Sequence, residues 1–179
     1  MTSTSVVRDT TVMSLRIRMV EPASDSFAEL LSQLKLVESL LTIGVFLVEQ
    51  DRLRPTSVAQ YEAALRNAEY LATRGFRTGH LQHNSPTDIL LWAGAASGAV
   101  SAVTLAANRI LAVWTNVQAG RLAKSRADLV VAANDRLMEE IASTRGRPLT
   151  DDDFPPELHM RLTDASRAIA QAEQITVDD

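Results

Sequence analysis

The sequence predicts a mainly helical protein with a small two-stranded β element and one long central helix, for which a break near Gly120 is the alternative. Three observations predict this fold class. Apolar residues recur at helical spacing over most of the chain, one segment alternates with period two, and no proline interrupts residues 89–147. Aromatic residues make up only 4% of the chain, so the core must depend on close approach between helices.

Composition restricts the classes of function. The chain has 179 residues, which suits one domain of ordinary size. Its formal net charge is −4, so no overall positive field attracts phosphates, and we expect no nucleic-acid partner. The absence of cysteine excludes disulfides, thiolate metal sites and cysteine nucleophiles, and it suits a reducing, cytoplasmic location. Residues 1–12 are mostly polar, which predicts a flexible N-terminal arm rather than a secretory signal.

The first structured elements are predicted from local patterns. Apolar and polar residues alternate over residues 13–20, which indicates a strand with one apolar face. Ser26 and Glu29 form a capping-box pattern and predict a helix over about residues 27–49. Residues 40–48 of this helix are apolar on nearly all sides, so we expect them to be deeply buried or to contact another chain.

A second helix and a second strand are predicted next. Ser57 and Gln60 mark the start of this helix, and Gly75 stands at the usual stop position. Residues 76–82 are predicted to form a strand that pairs with the first one.

The long helix is predicted from its start signal. The segment 85–88 (Ser-Pro-Thr-Asp) combines a capping hydroxyl, a proline in the first helical position and an acidic residue in the first turn. A helix from there would run for about 55 residues, or would be two helices broken near Gly120.

The predicted organisation is a single domain with a C-terminal extension. The domain covers residues 13–144 and is followed by a linker over residues 145–156. A last helix is predicted over residues 157–174, with a tail over residues 175–179.

Small residues in the predicted long helix suggest an interface. Gly94, Gly98, Ala102 and Ala106 recur at every fourth position and would form a groove that lets another helix approach closely. We therefore predict a homo-oligomer or a helical protein partner. The charge-free segment 89–107 supports an alternative.

In that alternative the helix crosses a membrane. Trp92 and Trp114 stand near the two ends of the apolar segment, about 33 Å apart along a helix, which is close to bilayer thickness. They would then lie at the membrane interfaces. The soluble interpretation is a central helix buried in a bundle or oligomer.

The remaining polar motifs are more typical of the protein surface than of a metal or catalytic site. His80 and His83 fall on a predicted strand, where residues three apart face opposite ways, so we predict no metal site. The acidic run 151–153 lacks the glycine turn and distal glutamate of a calcium loop. No nucleophile, phosphate-loop or dinucleotide motif occurs, and we predict no catalytic residues and no cofactor.

The order strand, helix, helix, strand, then the segment 83–90 (His-Asn-Ser-Pro-Thr-Asp-Ile-Leu) and a long small-residue helix, resembles a group of small uncharacterised bacterial proteins. In those proteins a strand runs into Ser-Pro-x-acidic-aliphatic and then an apolar helix. The resemblance covers roughly residues 13–121. It implies a topology and carries no site residues.

The predicted function is therefore a non-enzymatic self-association or protein-interaction module that uses the small-residue groove. The alternative is a single-pass membrane protein, or a membrane-inserting oligomeric effector, through residues 89–113. The first interpretation predicts a cytoplasmic protein, and the second predicts association with a membrane.

Overall fold

The computed structural model describes residues 13–20, 26–83, 86–93, 100–121, 124–143 and 154–178. Within these residues the fold is mainly α, as predicted, with five helices, but the predicted two-stranded β element is wrong, because the sheet has four antiparallel strands. In chain order the elements are β1 (Met13–Met19), α1 (Phe27–Leu53), α2 (Val58–Gly75), β2 (Phe76–His83), β3 (Thr87–Ala93), α3 (Val100–Gln118), α4 (Arg126–Ser143), α5 (Pro156–Gln171) and β4 (Ala172–Asp178).

The sheet has the strand order β2-β3-β1-β4, and every neighbouring pair is antiparallel. This is the order of a split βαβ arrangement, in which helical crossovers join strands that are not neighbours. In β1 the side chains of Met13, Leu15 and Ile17 are at most 1% exposed, while Arg16 between them is exposed. The helices therefore cover one face of the sheet, and the other faces solvent.

The predicted pairing of the first two strands is wrong, because β3 lies between them. β3 also takes the place of a helix at Thr87 and Asp88 of the predicted helix start, and over the first part of the predicted long helix. Asp88, which the sequence predicts in the first turn of a helix, instead faces arginines across the sheet. In the β1–β3 register it stands opposite Arg18 and diagonally next to Arg16. The hydrogen bond between Arg16 and Asp88 spans 72 residues of chain, and no local capping pattern reveals it.

The ion pair at Asp88 joins the two central strands. Arg16 donates to the two carboxylate oxygens at 2.9 and 2.5 Å, and Arg18 approaches within 3.5 Å. The hydrogen bond from Arg16 lowers the pKa of the Asp88 carboxyl from its ordinary value of 3.8, although partial burial opposes that shift. The carboxylate stays ionised at neutral pH and stabilises the β1–β3 pair.

Several helix boundaries agree with the sequence. Ser26 accepts a hydrogen bond from the Glu29 amide at 3.2 Å, and Ser57 accepts one from the Gln60 amide at 3.4 Å. The single long central helix is wrong, and the alternative of a break near Gly120 agrees with the structure, because α3 ends at Gln118 and α4 begins at Arg126.

The C-terminal prediction needs a correction. The last helix ends at Gln171, and the following residues form β4, which pairs with β1. A helix to residue 174 and a tail from 175 are therefore wrong. The apolar spacing of the helix continues through Ala172, so periodicity alone places the end too late.

Helix α1 is the centre of the core and packs against α2, α3 and α5. Its apolar segment, residues 40–48, is buried inside the chain itself, with Ile43, Val45 and Phe46 at 0% exposure. The burial predicted for this segment therefore needs no second chain. A tilted aromatic contact at 6.2 Å between ring centroids joins Phe46 to Tyr61 of α2.

Candidate functional site

The predicted small-residue groove lies partly outside the described residues, which do not include Gly94 and Gly98. Ala102 and Ala106 lie on α3 at 8% and 0% exposure. A methyl group placed on Gly44 of α1 would come within 3.3 Å of the Ala106 carbonyl oxygen. The close helix approach seen here is thus between α1 and α3 of one chain, and a groove for a second chain stays a prediction.

Trp92 and Trp114 do not mark the two ends of one helix, because Trp92 belongs to β3 and Trp114 to α3. The indole of Trp92 is 39% exposed on the outer face of the sheet and occupies the space that a side chain at Gly79 would need. The Trp114 indole donates to the carbonyl of Ala172 at 3.2 Å, which ties α3 to β4. One continuous helix through residues 89–113 is therefore wrong.

His80 and His83 lie on β2, as predicted, and the acidic run 151–153 is outside the described residues. In the part of the chain that the structure describes, no three His, Asp or Glu residues stand close enough together to hold a metal ion.

An exposed apolar surface lies at the β2 side of the molecule. Phe27 is 72% exposed, Leu31 is 43% exposed, and Leu34 follows them one turn later on the same face of α1. Leu81 of β2 is 36% exposed and is paired with Ile89 in the sheet. We call Phe27, Leu31 and Leu34 the edge patch. Exposed apolar residues that share a face in this way are typical of an interface.

A cavity of about 230 Å³ opens next to the edge patch, between α1, the end of α2 and the helix-covered face of β2 and β3. Glu38 adds a carboxylate to its lining, and its side chain is 61% exposed. The apolar lining is provided mainly by Leu34, Val37, Leu41, Phe76, Ile89 and Leu91. The arrangement suits an apolar or aromatic side chain supplied from outside.

The patch and the cavity are arranged along one helix. The cavity-lining part of α1 centres near Val37, about ten residues and hence about 15 Å beyond Phe27. Leu31 lies between them on the same face. An exposed aromatic side chain and a cavity therefore flank one exposed leucine.

Phe27 and Leu31 share the helical spacing of the other apolar residues of α1, so periodicity alone does not distinguish them from buried residues. The residues that neighbour them in the sequence distinguish them from the buried part of the helix. Glu29, Ser32 and Lys35 interrupt the first turns, whereas residues 40–48 contain only one polar residue. The apolar face is therefore narrow where it is exposed and becomes all-round where the helix enters the core.

Comparisons with known proteins add no family. The chain matches no protein-family model, no curated protein and no solved structure. Among the described helices, α1 has the length and apolar composition of a membrane span, but 67% of its most apolar window is buried inside the fold. The core helix of a soluble protein has the same length and apolar composition, and it is mostly buried as well.

Proposed function

We propose that the protein is a non-enzymatic self-association module in which two copies meet through their edge patches. The observation that carries this proposal is that an exposed aromatic side chain of the edge patch and a cavity of about 230 Å³ lie along the same face of α1. In a two-fold dimer, Phe27 of each copy enters the cavity of the other. Such an interface is self-complementary, as closed two-fold symmetry requires.

The spacing along α1 sets the geometry of the dimer. If Phe27 lies at the level of the partner subunit's Val37, the two α1 helices are antiparallel and their midpoint falls next to Leu31. The most exposed leucine of the patch on α1 is then at the symmetry axis. Each leucine contacts its own counterpart, and the two Phe27 side chains lie on opposite sides of the axis.

The contact is small. A buried phenylalanine contributes about 150 to 250 Å². Two such side chains with the surrounding leucines remain below the roughly 1,600 Å² of a standard interface. We therefore expect dissociation in the micromolar range, so that the dimer forms and separates with protein concentration.

Light scattering after gel filtration tests this proposal. We expect dimers at roughly 10 to 100 µM protein, and at least about tenfold weaker association for Phe27→Ser, because serine cannot fill the cavity. Met160→Ser is the matched control, since Met160 of α5 is 55% exposed and lies outside the patch. A monomer across this range, or equal weakening in the two variants, would refute the proposal.

Membrane association remains a second prediction from the sequence. One continuous helix through residues 89–113 no longer supports it, because residues 89–93 belong to β3. Fractionation with lysed cells separates the two predictions. If the protein self-associates through the edge patch, we expect it to be soluble without detergent. If it spans a membrane, we expect it to resist extraction by alkaline carbonate.

A further inference from the structure

A second cavity lies at the opposite end of α1 from the edge patch. It occupies about 650 Å³ between α1, α2 and α3. This volume falls in the range of small-molecule sites. Glu49 is about 18 residues beyond Leu31, or about 27 Å along the helix, so the cavity and the dimer interface are separate.

One wall of this cavity is apolar. Val48, Leu71 and Ala102 are buried or half-buried, and Leu105 is 54% exposed. Because Ala102 carries only a methyl group, it leaves the space open between α3 and α2. A larger side chain there would fill it.

The polar end of the cavity is built around Glu49, whose side chain is only 5% exposed. Its Oε2 atom accepts hydrogen bonds from the Arg52 guanidinium at 2.6 Å and from the Asn67 amide at 2.7 Å. A carboxylate has two oxygens and about four acceptor positions, so Glu49 can accept further donors. Arg52 is 66% exposed and can yield its position to another cation.

Burial distinguishes the charges that line the cavity. Their number is balanced, with Glu49 and Asp51 against Arg52 and Arg109. Glu49 is only 5% exposed, whereas its partner Arg52 is 66% exposed. Solvent therefore screens the Glu49 carboxylate least, and a cation next to it gains more than an anion next to Arg52.

We propose that this cavity binds a small amphiphilic amine, with the ammonium group on the Glu49 carboxylate and the apolar body against Leu71, Ala102 and Leu105. The ammonium adds hydrogen bonds to a buried charge that otherwise depends on one exposed arginine and one amide. The apolar body covers Leu105. A carboxylic acid of the same length would place like charges together.

Calorimetric titration with n-hexylammonium, n-hexanol and n-hexanoate tests this assignment on the full chain. We expect n-hexylammonium to bind most tightly and n-hexanoate most weakly. Glu49→Gln keeps the size and the acceptor oxygen but removes the charge, and it should weaken n-hexylammonium binding by about tenfold or more. Glu69→Gln is the matched control, because this carboxylate of α2 pairs with Arg161 outside the cavity.

A second variant tests the apolar part of the cavity without changing any charge. Ala102→Leu fills the cavity and should weaken n-hexylammonium and n-hexanol alike. The proposal is overturned if no probe binds, if n-hexanoate binds as tightly as n-hexylammonium, or if Glu49→Gln and Glu69→Gln bind n-hexylammonium equally. Circular dichroism and thermal unfolding of each variant identify those that fold before they are titrated.

Discussion

Replacing Gly44 with leucine is expected to destabilise the folded chain by about 3 kcal/mol or more, near the upper end of the usual effect of overpacking. A Cβ atom at this position would lie 2.6 Å from Ile110 Cδ1 and 3.3 Å from the Ala106 carbonyl oxygen. The side chain of Ile110 can shift, but the backbone of α3 cannot do so without opening the core.

Urea unfolding followed by circular dichroism measures this effect. Ala112→Leu is the control, because Ala112 lies on the exposed side of α3. Leucine is a better helix former than glycine, so helix propensity opposes the expected loss and makes the test conservative. If the two variants have the same free energy of unfolding, α1 and α3 are not in close contact at Gly44.

Phe46→Ala is expected to lower the free energy of unfolding by about 3 to 5 kcal/mol, as is usual for a buried phenylalanine. Phe46 is fully buried and contacts Tyr61, which makes an edge-to-face contact with Phe154 at 5.5 Å between ring centroids. The cavity left by Phe46 would thus loosen α1, α2 and the segment that leads into α5.

The same substitution at Phe27 provides the comparison. Phe27 is 72% exposed, so Phe27→Ala should change the stability of the monomer by less than about 0.5 kcal/mol. Thermal unfolding at low micromolar concentration measures both variants. Similar losses at the two positions would mean that Phe27 belongs to the core and is unavailable for a partner.

The sequence predicts elements whose signals are local. The period-two alternation of β1 and the serine caps of α1 and α2 lie within a few residues of the elements they define. The continuous apolar run of β3 behaves differently. Residues 89–93 are apolar at every position, and such a run fits a buried strand as well as a buried helix. Its pairing with β1 on one side and β2 on the other decides between them.

The candidate site was less accessible to sequence reasoning than the fold. Ala106 of the predicted groove lies close to Gly44 of α1 in the same chain, and a groove that receives a second chain stays a prediction. Phe27 and Leu31 share their periodicity with buried residues of α1, and periodicity gives the direction of a side chain without telling what covers it. The cavity beside them joins residues from four elements and has no local pattern.

The most direct test of self-association through the edge patch uses the absence of cysteine from the chain. A single Leu31→Cys substitution would place two thiols near the symmetry axis, whereas Met160→Cys would place them on a surface outside the patch. Under mild oxidation at a concentration where dimers form, Leu31→Cys should yield mainly a disulfide-linked dimer on a non-reducing gel. An interface at the edge patch is contradicted if Leu31→Cys remains monomeric while Met160→Cys forms as much disulfide-linked dimer or more.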